Sequence, residues 1–252
     1  MFPINYRAAA PLVIAASAVC VAARSAEPPF EEARVFFELN DTDGDLGIHA
    51  AIDGDAWKSL EIEDSRDRRL LAVTPTGRLR EIGMTELDFE SAEPSFDELP
   101  AADFLAKFPE GVYEVSGVTV DGTELESKVR VSKLLPGPPR NVRVNGIPAA
   151  ENCDAANLPA VHPPVQISWD PVTRSHPTIG RQGAATVDLY QVFAEQRIEN
   201  PLTFSLDLRP TVTHFTVAPE LIGTGDRSFK FEVLVREKNG NQTAIESCFR
   251  IL

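Results

Sequence analysis

The chain has 252 residues, with 38 acids against 24 bases, 20 prolines, 15 glycines and three cysteines. A composition that is 43% hydrophobic and 25% charged is that of a folded protein of one large or two small domains, which excludes a fibre, a multispan membrane protein and a globally disordered chain. At a formal charge of −14 there is no surplus of Lys and Arg to displace phosphate counterions, so nucleic acid is not expected as a partner.

In chain order, Arg7 is followed by an uncharged run from Ala8 to Ala23, then by Arg24, Ser25 and the proline pair Pro28 and Pro29. This is the plan of an export signal over residues 1–25, with small residues that suit a cut before Ala26 or before Arg24. The run is shorter than the ~20 apolar residues a spanning helix needs, so no transmembrane span is expected after cleavage and a secreted or periplasmic location follows. Cleavage leaves Cys153 and Cys248, which in an oxidising compartment are expected to form one disulfide; Cys-x-x-Cys is absent. The remaining charge is lopsided, because residues 26–133 hold 26 acids and 11 bases while residues 134–252 hold 12 and 11. Such asymmetry suggests two bodies with different surfaces.

The clearest boundary is Leu134-Leu135-Pro136-Gly137-Pro138-Pro139, where three prolines impose an extended backbone with few donors. It divides an acidic domain over 26–133 from a second domain over 140–252. In the first, Arg34–Leu39, Leu46–Ile52 and Trp57–Ile62 read as strands separated by Asp43-Gly44-Asp45 and Asp53-Gly54-Asp55 turns. One short helix is expected from the stripe Phe96, Leu99, Phe104, Leu105 and Phe108, before Gly111–Val120 and Leu125–Val131 flank a third turn at Asp121-Gly122. Seven strand-like runs follow in the second domain: Asn141–Asn145, Val165–Trp169, Leu189–Gln196, Leu202–Leu208, His214–Pro219, Phe229–Arg236 and Ala244–Ile251. The predicted fold class is all-β, two tandem antiparallel β-sandwiches, the first with one short helix.

Pro138-Pro139 leading to Val142 and Val144, then Ile167-Ser168-Trp169-Asp170-Pro171, Tyr190-Gln191-Val192-Phe193, and Phe229–Val233 running on to Asn239-Gly240-Asn241 together resemble a fibronectin type III domain. The resemblance covers the C-terminal half and implies that Trp169 and Tyr190 are core neighbours, with Phe231 packed against them. It departs from the family at Phe229, which stands where a tyrosine hydroxyl is usual, and in long segments at Gly146–Pro164 and Thr173–Thr186. It implies an immunoglobulin-like sandwich used for spacing, adhesion or assembly.

Among candidate sites, Asp41, Asp43 and Asp45, with Asp53 and Asp55 one strand later, place carboxylates at alternate turn positions, which suits calcium. The alternative is that the same acids cap turn amides. An EF-hand is excluded, since counting from Asp41 the sixth residue is Leu46 and the twelfth Ile52. His49, His162, His176 and His214 are scattered without metal or nucleophile spacing and read as surface or turn residues. Asn40-Asp41-Thr42 and Asn241-Gln242-Thr243 are formal glycosylation acceptors. The expectation is an exported, non-catalytic binding, adhesion or scaffolding protein whose partner is a protein or polysaccharide at the cell surface or in the periplasm. Two alternatives stay open, an accessory carbohydrate-binding protein, in which Trp57 could stack on a sugar, and a secreted hydrolase using acids of the first domain.

Overall fold

The computed structural model describes residues 28–223 and 227–252, so the export signal expected over residues 1–25 lies outside the described residues. Among the described residues, fifteen strands and three short helices make an all-β fold. Among the described residues no helix is long and apolar enough to cross a membrane.

The N-terminal lobe contains β1 (Glu32–Asn40), β2 (Asp45–Glu63), β3 (Arg69–Val73), α1 (Gly77–Ile82), β4 (Met84–Glu90), α2 (Ala101–Lys107), β5 (Gly111–Thr119) and β6 (Glu124–Val131). Its organising element is β2. The Asp43-Gly44 and Asp121-Gly122 turns form, with Gly44 and Gly122 at φ 69° and 96°, but the expected turn at Asp53-Gly54-Asp55 does not. The chain stays extended there, because Phe30 lies over the bare backbone of Gly54, where a Cβ would sit 3.0 Å from the ring. Continuity turns two predicted strands into one of 19 residues. Its first part pairs with β1 and β4, its last part with β3 and β5, and the register slips on both sides of Trp57. A strand that changes layers through a bulge makes the corner of a sandwich. The bulge also accounts for parity: Leu46, Ile48, Ala50 and Ile52 point inward, and so do Trp57, Leu60 and Ile62, although 57 is out of step with the others.

Two helices occur in this lobe where one was expected. Pro100 confines α2 to Ala101–Lys107, leaving Phe96 and Leu99 in the preceding turn, while Phe104 and Leu105 are buried and Phe104 meets Phe37 and Phe108. The additional helix, α1, buries none of its residues, which is why no apolar stripe announces it. Tyr113, wholly buried at the start of β5, donates its hydroxyl to Pro109 O at 2.9 Å and so pins the α2–β5 corner.

The C-terminal lobe contains β7 (Arg143–Val144), β8 (Ile147–Pro148), β9 (Ala160–Val161), β10 (Gln166–Ser168), β11 (Val187–Gln196), β12 (Thr203–Leu208), β13 (His214–Thr216), α3 (Pro219–Ile222), β14 (Arg227–Glu237) and β15 (Gln242–Ile251). Each of the seven runs read from the sequence contains a strand, although Asn141–Asn145 keeps only Arg143–Val144 and His214–Pro219 only His214–Thr216, with Pro219 opening α3; the two-residue strands β8 and β9 were not expected. A sheet ordered β13-β10-β7-β8 faces β12-β11-β14-β15, and alternate residues of each fill one core that includes Ile167, Trp169, Tyr190, Val192, Phe229, Phe231, Val233, Phe215 and Phe249.

The lobes share backbone. β1 pairs in parallel with β15, matching Glu38, Leu39 and Asn40 to Gln242, Thr243 and Ala244, so an 11-stranded mixed sheet passes through both lobes. Residues 135–139 are buried at this junction, and Leu135 belongs to the N-terminal core. Asn241, 1% exposed, ties the pieces together: its Oδ1 accepts from Phe37 N at 2.9 Å, and its Nδ2 donates to Ser132 O at 2.7 Å and Leu134 O at 2.9 Å. The glycosylation reading of Asn241 is therefore corrected; a side chain sealed by three hydrogen bonds offers no acceptor amide.

A candidate binding surface at the lobe seam

The outer face of the shared sheet is built by strand register. Glu232 on β14 stands directly opposite Glu246 on β15. On β1, Glu38 lies beside Gln242 and Gly47, and Asn40 beside Asp45. Glu93, just beyond β4, reaches in over Gly47, where a Cβ would come within 2.5 Å of its Oε1 and would push the Glu93 side chain aside. Three stretches distant in sequence, the β1–β2 hairpin, the segment after β4 and the β14–β15 hairpin, thus bring Glu38, Asp45, Glu93, Glu232 and Glu246 to one surface.

The cations present offset only part of this charge. Lys230 bonds Glu246 at 2.6 Å, His49 Nε2 meets Glu93 Oε1 at 3.1 Å, and Gln242 links Arg236 to Glu38 by bonds of 3.1 and 2.8 Å. Burial, followed by the charges of Glu38 and Glu246, pushes the Glu232 carboxyl up to about 7. Burial and the neighbouring Glu93, Asp43 and Glu246 push Asp45 up to about 6. Glu38 is also raised, by burial first, with His49 opposing and Glu93 and Glu90 adding to it. Like charges held together on a half-buried face cost free energy that a cationic partner would return. Beside this face a cleft of about 610 Å³ is lined by Asp41, Thr42, Arg140, Asn141, Glu151 and Glu246.

The five aspartates singled out from the sequence do not converge. Asp41 accepts a 2.8 Å bond from His176 Nε2. Asp43 receives the Asn40 amide at 3.2 Å, and Asp45 has a buried Oδ1 without a hydrogen-bond partner. Asp53 and Asp55 lie farther along β2, Asp53 at ~26 Å from Asp45 at the usual rise of an extended strand. Among the described residues no group of three or more acids, histidines or cysteines could hold a metal ion.

His176 is the exception to a surface reading of the histidines. It is 4% exposed, and its Nδ1 accepts from Ile179 N at 2.9 Å and Thr178 N at 3.3 Å, which leaves the proton on Nε2 facing Asp41. The long segment after Asp170 thereby clasps the β1–β2 turn of the other lobe.

Cys153 and Cys248 are joined by a disulfide that fastens the loop after β8 to β15. Trp169 is 4% exposed and meets Tyr190 edge-on at 5.3 Å, within the core that also holds Phe231. The Tyr190 hydroxyl accepts from Val172 N at 2.8 Å, anchoring the segment after β10 in the absence of a hydroxyl at Phe229. Trp57 and Tyr113 are fully buried, and no described Phe is exposed.

No family model matches the chain, and no curated protein matches it. Solved structures to which it is similar include the chicken CNTN1 FN1-FN3 domains, at 11% identity over 88% of this chain with a TM-score of 0.36. A tetra-tandem repeat from the extending region of a large adhesion protein matches at 10% identity over 87% with a TM-score of 0.25. A structure described for host cell surface retention of a 1.5-MDa bacterial ice-binding adhesin matches at 12% over 88% with a TM-score of 0.24. This chain spans 65%, 50% and 64% of those chains, and at such scores the likeness assigns neither family nor function.

Proposed function

We propose that this is an exported, non-catalytic binding or scaffolding protein that presents the acidic seam face to a basic protein partner in the periplasm or at the cell surface. The observation that carries the reading is the shared sheet: β1–β15 pairing holds carboxylates of both lobes in one fixed array. A rigid array lowers the ordering cost of binding. Export is supported by the Arg7–Ser25 pattern and by the disulfide, which suits an oxidising compartment. The N-terminal acidic lobe and the C-terminal lobe are read as two domains meeting at residues 134–139, the second a fibronectin type III-like sandwich, a resemblance supported by β13-β10-β7 facing β12-β11-β14-β15, with the short β8 added at the edge of the first sheet. The carbohydrate alternative loses its stacking platform, because every described Trp and Tyr is buried.

Two measurements test this. Residues 1–25 fused to alkaline phosphatase should give activity only in export-competent cells; activity confined to lysates would refute export. Binding of the protein to envelope fractions should weaken at high salt and drop at least about tenfold in a Glu38→Gln, Glu232→Gln, Glu246→Gln triple variant. Binding unchanged in that variant would refute the seam as the contact face.

A further inference from the structure

The two ends of the large sheet are finished differently. At one end β6 carries Glu124, Glu126, Lys128 and Arg130, charges of the kind that guard an edge. At the other end β12, Thr-Phe-Ser-Leu-Asp-Leu, has neither Pro, Lys nor bulge, and β11 is its one strand neighbour among the described residues. Gln196 N donates to Leu202 O, and since backbone groups alternate along a strand, the even-numbered residues bond toward β11. The N–H and C=O groups of Thr203, Ser205 and Asp207 therefore face outward. Their side chains are exposed, whereas Phe204, Leu206 and Leu208 are half-buried against the C-terminal core and Leu202 is 55% exposed.

We infer that β12 is a homotypic docking edge that pairs antiparallel with β12 of a second copy of this chain about a two-fold axis through Ser205. The strand is complementary to its own reverse. With Ser205 opposite Ser205, Thr203 faces Asp207, Phe204 faces Leu206 and Leu202 faces Leu208. Apolar side chains meet on the face that continues the core, polar ones meet on the other, and the charge of Asp207 meets a hydroxyl in place of its own copy. A shift of one residue would put polar side chains opposite apolar ones on the same face. The pairing satisfies the open backbone groups with about six hydrogen bonds, and the contact is isologous, so it closes at two copies.

The test uses the purified protein alone. Sedimentation equilibrium should show the weight-average mass rising from one chain toward two between about 10 µM and about 1 mM, and amide exchange at Thr203, Ser205 and Asp207 should slow over the same range. Ser205→Asp and Ser205→Lys each place like charges face to face across the axis and should each raise the dissociation constant at least about tenfold. Mixed in equal amounts, the two variants should associate again, a rescue that a folding defect could not produce. A protein that stays monomeric at about 1 mM, or association that both variants leave intact, would overturn the inference, as would failure of the mixture to recover.

Discussion

Replacing Asn241 by Ala removes both the acceptor for Phe37 N and the donor to Ser132 O at a position 1% exposed. Leu134 O still has Asn239 Nδ2 at 2.9 Å, so two buried groups, not three, are orphaned. At ~1 to 3 kcal/mol for each buried group left without a partner, the loss for two groups should be about 2 to 6 kcal/mol. Because the three bonds connect β1, residues 132–134 and the turn before β15, the loss falls on the junction between the cores. Urea unfolding followed by tryptophan fluorescence reads both lobes, through Trp57 in one and Trp169 in the other. The wild type should unfold in one transition and Asn241→Ala in two, with the overall midpoint lowered. Asn241→Asp keeps the acceptor but turns a carboxylate toward Ser132 O and Leu134 O. A carboxyl so placed titrates above its unfolded value, so this variant should recover stability as the pH falls. A midpoint for Asn241→Ala within about 0.5 kcal/mol of wild type, still in a single transition, would refute the role assigned to this residue.

Glu232 titrates higher in the folded chain than the ordinary 4.5, at about 7, so its stabilising contribution is complete below the unfolded value and is lost as the pH rises through the folded one. Stability should fall from pH 5 to pH 8 by on the order of 2 kcal/mol through this group, and Glu232→Gln should flatten the profile; an unchanged slope would contradict the burial argument. Trp169→Ala should cost ~3 to 5 kcal/mol and abolish the fluorescence component that reports the C-terminal lobe, and an unchanged melting temperature would contradict its core position. Reducing Cys153–Cys248, 95 residues apart, should cost ~4 to 5 kcal/mol in the chain-entropy limit, checked by denaturation with and without reductant. Millimolar calcium should leave the melting temperature of both wild type and Asp43→Asn unchanged, because the aspartates have diverged to separate neighbours; a shift lost in Asp43→Asn would show otherwise.

Seven of the nine described C-terminal strands, all but the two-residue β8 and β9, were legible because apolar alternation and turn residues coincide there. The N-terminal lobe was less so. Asp-Gly signals a turn by chemistry alone, and nothing local distinguishes Gly54, held extended under Phe30, from Gly44, which turns at φ 69°. β3 and β4 escaped because neither shows a clean two-residue alternation: Arg69–Val73 is an unbroken apolar run after Arg69 with no residue buried, and Met84–Glu90 is mostly polar and exposed. The seam carboxylates were invisible for a different reason. Glu232 and Glu246 are ordinary outward residues on their own strands, and they become neighbours of Glu38 only through the parallel β1–β15 pairing between opposite ends of the chain. Asn241 was hidden by a plausible local meaning, since Asn239-Gly240-Asn241 reads equally well as a solvated turn.

Parallel pairing of β1 with β15 also decides how the protein bears tension. The chain enters β1 at Glu32 and leaves β15 at Ile251, and because the two strands run in the same direction, pulling on the two sides drives them past each other lengthwise. The bonds joining Glu38–Asn40 to Gln242–Ala244, and the Asn241 clasp beside them, are then loaded together and not peeled one at a time. The junction between the lobes is thus loaded in shear, while the Cys153–Cys248 disulfide keeps residues 154–247 inside a closed loop that tension on the two ends cannot extend.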